Sequence, residues 1–212
     1  MRAPSKHEQP ELFDPTPDPS RASASGLPEG LVYRPDFLTE VEERDLLARI
    51  RDLPLAEARY KEFTARRRIA SFGAGYDFGT NAPLPAPPLP PFLHPLRSRV
   101  AEWSGIPLED LRQCTVAEYA PGTPLGWHRD VPLFGVVVGV SLGSPCRMRL
   151  RPYPHRKHAG LRSLVLVLEP RSAYVIREEA RWRWQHAISP TKALRHSITF
   201  RTMLGKPPGA AG

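Results

Sequence analysis

Trp127-His128-Arg129-Asp130 is the stretch whose reading decides the fold. His128 and Asp130 stand two positions apart, and in an extended strand such residues point the same way, so both can reach one small ion. A third ligand must then arrive from elsewhere. His186, within Trp184-Gln185-His186, offers it from more than fifty residues on. That separation fits the middle of a β-sandwich lying between the first two ligands and the last.

Two histidines and one carboxylate on one side of a metal leave open positions opposite, the arrangement that non-haem Fe(II) oxygenases use. Such a centre needs a co-substrate. Arg195-His196-Ser197-Ile198-Thr199-Phe200-Arg201 alternates and is rich in β-branched residues, so it reads as a strand with both arginines on one face. Six residues of strand cover about 20 Å, so the guanidinium groups do not lie side by side. They can converge from above and below on a short dicarboxylate, since the planar fork of arginine pairs bidentately with a carboxylate. 2-Oxoglutarate suits the place: its keto acid end takes two metal positions and its far carboxylate takes an arginine.

With these residues in hand the chain resembles the AlkB family of Fe(II)/2-oxoglutarate dioxygenases. The resemblance rests on His128-Arg129-Asp130, the distant His186, and an Arg-X5-Arg that ends in Thr199-Phe200-Arg201. Glu118-Tyr119-Ala120-Pro121-Gly122 and Val140-Ser141-Leu142-Gly143 are similar to the family as well, and the likeness runs from about Leu27 to about Leu204. Each piece alone has a plainer reading, a surface turn, a core histidine or charges on an edge strand. Their order and spacing together carry the resemblance.

It implies a double-stranded β-helix, or jelly roll, preceded by helices and a nucleotide-recognition lid, so the fold class is α+β. It implies Fe(II) held by His128, Asp130 and His186, the catalytic centre, with O2 and 2-oxoglutarate as co-substrates. Arg195 is expected at the distal carboxylate, Arg201 nearer the keto acid end, and Tyr119 as a hydrogen-bonding neighbour of the co-substrate. The lid spans about residues 57–80. Within it, Tyr60, Lys61, Arg66, Arg67, Arg68, Phe72 and Tyr76 interleave basic and aromatic side chains, which can hold phosphates while a ring stacks on a base. Arg129 joins them as a substrate-facing residue. Where the family's best-known members have an acidic residue two places after the metal aspartate, this chain has Pro132, and Ala117 and Ser197 stand where asparagines often meet the co-substrate.

The 212 residues suffice for one sizeable core, expected at 27–205 between a disordered arm (1–26) rich in Pro, Ser and charge and a flexible tail (206–212). Cys114 and Cys146 lie in apolar runs and read as buried free thiols. Without a long apolar run or a signal-like N-terminus, a monomer in the cytoplasm with no membrane partner is expected. A net charge of +8 and a pI near 9.9 suit a polyanionic partner, although the excess of Arg, Ala and Pro also follows from GC-rich coding.

Along the chain, Thr39 and Glu42 form a capping box that opens a helix carried by Leu46, Leu47 and Ile50 and stopped by Pro54. Pro83 to Pro91 reads as a stiff connector. Leu93, Leu96, Val100 and Trp103 make a second helix ending near Gly105. Strands are expected over 114–119, 136–142, 148–153, 164–168, 173–176 and 194–201. The expected activity is oxidative removal of N-alkyl groups from nucleic-acid bases, with DNA first and RNA or tRNA next. Protein demethylation and a non-catalytic jelly-roll module that holds nucleic acid are the other readings.

Overall fold

The computed structural model describes residues 26–60, 63–77, 82–155 and 163–204, without the side chains of 58–60, 63–65, 77, 82 and 83. The first half holds β1 (Leu31–Arg34), α1 (Glu40–Ile50), β2 (Ala56–Tyr60), β3 (Phe63–Phe72), β4 (Gly75–Asp77), β5 (Ala82–Leu84) and α2 (His94–Ser104). After it come β6 (Leu111–Tyr119), β7 (Leu125–His128), β8 (Phe134–Leu142), β9 (Cys146–Pro152) and β10 (Leu164–Leu168). The chain then adds β11 (Ala173–Ile176), α3 (Glu178–Trp182), β12 (Trp184–Ile188) and β13 (Arg195–Met203).

Seven strands form the larger sheet in the order β1-β11-β8-β13-β6-β3-β2, and four form the smaller in the order β10-β9-β12-β7. Their inner faces meet across a cavity lined from both. This is the jelly roll expected from the sequence, with helices on the outside.

The start of α1 and the end of α2 have local causes. At α1, Thr39 Oγ1 accepts from the Glu42 amide at 3.2 Å while the Thr39 amide donates to Glu42 Oε2 at 2.7 Å. This reciprocal cap contributes about 1 kcal/mol. α1 ends at Ile50 with Arg51 as C-cap, earlier than Pro54 would require. α2 ends at Gly105, whose φ of 69° is the left-handed conformation of a helix C-cap. Leu46, Ile50, Leu96 and Val100 then meet Cys114, Val116, Val138, Ile198 and Phe200 in one core on the outer face of the larger sheet.

A second core lies between the sheets, where Val137, Met148, Leu150, Leu168, Ile176 and Ile188 interlock. The larger sheet is thus covered on both faces. Consecutive residues of β13 are buried from Arg195 to Phe200, although they point alternately to the helices and to the cavity.

Three features depart from the expectations. β7 stops at His128, so Asp130 lies in the turn beyond the strand. β12, β7 and α3 fall outside the expected elements; on β12 and β7 the inward positions mix His186 and His128 with Trp184, Ile188 and Leu125, so no purely apolar alternation marks them. Much of the segment expected to be a lid is the edge of the larger sheet, with Arg68 to Phe72 in register with Glu118 to Cys114. Both cysteines are buried free thiols. Among the described residues no helix is long and apolar enough to cross a membrane.

Candidate active site

The pairing of β12 with β7 sets His186 directly opposite His128, and their rings lie 4.2 Å apart between centroids. The turn after β7 brings Asp130 to the same point, with Oδ2 3.6 Å from His186 Nε2. One potential ligand atom from each of the three residues lies within 4.8 Å of the others. His128 Nδ1 lies 2.9 Å from the Gly126 carbonyl oxygen, and as the donor there it leaves Nε2 with its lone pair free.

Burial pushes the His186 imidazole down to about 3, with His128 beside it adding to the shift. Burial also lowers His128. Burial alone would raise the Asp130 carboxyl, yet Arg201 and the two histidines outweigh it and hold the group well below the usual carboxylate range. Two neutral imidazoles and one carboxylate are the donor set that a divalent iron takes, so the residues fit the ion.

Arg201 fixes the carboxylate. Its Nε donates to Asp130 Oδ1 at 2.7 Å, and its Nη1 donates to Gln113 Oε1 at 2.8 Å and Thr115 Oγ1 at 3.1 Å. Arg181 holds the backbone of the same turn: its guanidinium donates to the carbonyls of Asp130, Val131, Phe134 and Gly135 at 2.7 to 3.1 Å. Neither role was legible in advance. Gln113 and Thr115 share alternation with Tyr119, which is a usable signal, whereas nothing local marks Arg181.

Arg195 is 1% exposed and lines the cavity. Its guanidinium carbon sits 5.0 Å from the centre of the Tyr119 ring, and its Nε donates to Ser141 Oγ at 3.2 Å. No carboxylate among the described residues pairs with it. A buried cation without an anion is costly, so the cavity is built for an acidic ligand at this end. Tyr174 lies beside it, with its hydroxyl pushed up to about 12 by burial. Gly139 makes room for that ring, since a Cβ there would meet Tyr174 Cζ at 2.2 Å.

The cavity, about 750 Å³, also receives Arg67, Tyr76 and Arg129 of the expected substrate set. The Tyr76 ring lies 6.5 Å from that of Phe134. Arg68 and Phe72 do not reach it. Alternation along β3 turns Phe72 into the helix-side core and sends Arg68 to Glu118 at 3.0 Å, and Arg66 shares their parity. Lys61 and the side chain of Tyr60 lie outside the described residues. Ala117 and Ser197 face each other in register on the cavity wall, where their small side chains leave space.

Comparison with known proteins agrees with this geometry. The family model for the 2OG-Fe(II) oxygenase superfamily matches residues 30–201. An Arabidopsis thaliana protein named "Alkylated DNA repair protein ALKBH8 homolog" is 31% identical over 180 residues, covering 75% of this chain and 50% of its own length. The Mus musculus protein named "tRNA (carboxymethyluridine(34)-5-O)-methyltransferase ALKBH8" is 26% identical over 172 residues, covering 78% of this chain and 25% of its own. This chain therefore spans half or less of the length of these relatives. The solved structure of OsALKBH1 shares the fold at a TM-score of 0.65 and 16% identity, over 83% of this chain and 98% of that one. With a cluster of two histidines and an aspartate that could hold a metal, its buried arginines and a family match over most of its length, the chain belongs to the 2OG-Fe(II) oxygenase superfamily and is AlkB-like within it.

Proposed function

We propose that this oxygenase oxidises N-alkyl groups on nucleic-acid bases, so that the alkyl carbon leaves as an aldehyde and the base is restored, with DNA as the first substrate. One observation carries the reading. A single cavity joins three metal ligands and the carboxylate-seeking Arg195 to a wall bearing Tyr76, Phe134, Arg67 and Arg129. Flat rings and guanidinium groups are what an extruded base and its phosphates need.

When bound, Fe(II) and 2-oxoglutarate supply oxidation of a C–H bond by O2, coupled to decarboxylation of 2-oxoglutarate to succinate. This chain's residues do the rest. His128, His186 and Asp130 would hold the ion. Arg201 engages Asp130 Oδ1 and leaves Oδ2 free, the oxygen with which Asp130 would hold the ion. Arg195 takes the far carboxylate, with the Tyr119 ring packed on its guanidinium. Ile69, Leu125, Val137 and Ile188 exclude water from the wall between, which strengthens each charge interaction inside.

A second reading, with RNA as the substrate, is favoured by the tRNA activity in the name of the mouse relative. The test is anaerobic loading with Fe(II), then air, 2-oxoglutarate and parallel panels of N-alkylated DNA and RNA oligomers. Succinate and restored base are both read by mass spectrometry. Equal yields of the two from DNA support the first reading, and from RNA the second. Succinate without base restoration sinks both.

A further inference from the structure

The outer face of the smaller sheet carries a basic ridge that the catalytic site does not use. Arg147, Arg149 and Arg151 alternate along β9, and the first two are exposed. Alternate strand residues stand about 7 Å apart, so the three form a straight row. Arg151 and Arg149 lie over one ring, with their guanidinium carbons 4.2 and 5.0 Å from the centre of Trp127 on β7. Between them and Trp127 runs β12, which places only Ala187 opposite Arg149 and Gln185 opposite Arg151. The small Ala187 lets the arginine reach across.

The row starts at the catalytic cavity. Arg129 lines that cavity, donates to the Trp182 carbonyl at 2.7 Å, and stacks on Tyr153 at 3.8 Å. Tyr153, 39% exposed, directly follows β9. A continuous line therefore runs from the cavity rim through Arg129 and Tyr153 to Arg151, Arg149 and Arg147.

Among the described residues no ion pair compensates the charge of this line. Elsewhere Arg68, Arg99 and Arg171 each meet a glutamate at 3.0, 2.6 and 3.1 Å. The four strands of the smaller sheet contain no aspartate or glutamate at all. The side chain of Arg147 forms no hydrogen bond or ion pair among the described residues, and the side chain of Arg149 donates only to Ser163 Oγ, at 3.5 Å. Stacking on Trp127 holds two guanidinium planes in place; Arg151 gives its Nε–H to Gln185 Oε1 at 2.9 Å, and its terminal N–H groups stay available to an acceptor.

We infer that this ridge binds the phosphate backbone of a single strand leaving the cavity, and so anchors the nucleotides that flank the target base. The inference rests on the nucleic-acid reading above. A strand fits better than a compact anion, because the positive groups are spread in a line and joined to the substrate cavity at one end.

The test uses the full chain and the double variant Arg147→Ala/Arg149→Ala. Binding of a fluorescein-labelled single-stranded 20-mer is followed by anisotropy at several salt concentrations. The variant should bind about tenfold more weakly, with a salt slope shallower by about 1.4, or 0.7 for each lost phosphate contact. Turnover of an alkylated trinucleotide, too short to reach the ridge, should match the wild type and thereby show an intact fold. Arg147→Lys/Arg149→Lys should recover most of the slope.

Equal affinity and slope in wild type and variant overturn the ridge alone. A wild type that binds no oligonucleotide overturns the ridge and the nucleic-acid reading together. Polyglutamate binding as tightly as the 20-mer, and lost in the variant, gives the surface to an acidic protein and also overturns the inference.

Discussion

The two faces of β13 place unlike chemistry on neighbouring residues. Toward the helices, Ile198 and Phe200 are fully buried in an apolar core. Toward the cavity, Arg195, Ser197, Thr199 and Arg201 are almost as enclosed, yet every one is polar. Burial is nearly the same on both faces, so it does not by itself mark function. What marks it is a buried charge with no opposite charge paired to it among the described residues, as with Arg195. The strand's period of two separates the two sets, and a slip of one residue would exchange them.

The cavity face should break first. His128→Ala removes one of three ligands and is expected to abolish succinate formation, a loss of at least about a thousandfold, while thermal unfolding stays cooperative; turnover near wild type would dissolve the assigned centre. Arg195→Met should raise the KM for 2-oxoglutarate by about a hundredfold and leave stability equal or higher, because a buried cation is replaced by an apolar chain. Titration with 2-oxoglutarate checks this, and an unchanged KM would place the far carboxylate elsewhere.

Phe200→Ala, on the other face of the same strand, reverses the pattern. It should cost about 3–5 kcal/mol of stability by urea unfolding, with the KM for 2-oxoglutarate within about threefold of wild type. Arg181→Met lies between the two classes. It strips four carbonyls of their donor and should cost about 3 kcal/mol while weakening iron affinity through the displaced turn of Asp130; a change in stability alone would make Arg181 structural only.

The smallest effect concerns pH. His196, next to Arg195, faces Glu118 at 3.3 Å on the helix side. Burial lowers its pKa, and the Glu118 hydrogen bond offsets this only in part. The unfolded chain therefore takes up a proton before the folded one. Stability from this group is complete above the unfolded value of 6.5 and is lost as pH falls from there towards the lower folded value. Urea midpoints measured on either side of that value should show the decline, and His196→Gln should make it shallower, with the buried His128 and His186 supplying the remainder.

Much of the site was legible in the chain. His128, Asp130, His186, Arg195 and Arg201 were singled out by residue type and spacing and line one cavity, and the capping box and Gly105 mark helix ends. The substrate side was less legible. Arg66, Arg67 and Arg68 look equivalent in sequence, yet only Arg67 lines the cavity, because a strand turns alternate residues away and nothing local says which. Phe72 is aromatic and beside a basic run, but its parity matches Arg68 and it joins the core.

By itself the sequence determined which groups the protein owns: two imidazoles and a carboxylate for a metal, two arginines on one strand face, and apolar alternation enough for a two-sheet core. Those properties follow from residue chemistry and from periods of two and 3.6, which need no long-range information. Tertiary structure alone decided which of them meet. The β7–β12 register set His186 against His128, α3 sent Arg181 into the Asp130 turn, and the order β9-β12-β7 laid arginines across Trp127. Such contacts join residues tens of positions apart, and only strand pairing and packing bring them within a few ångströms.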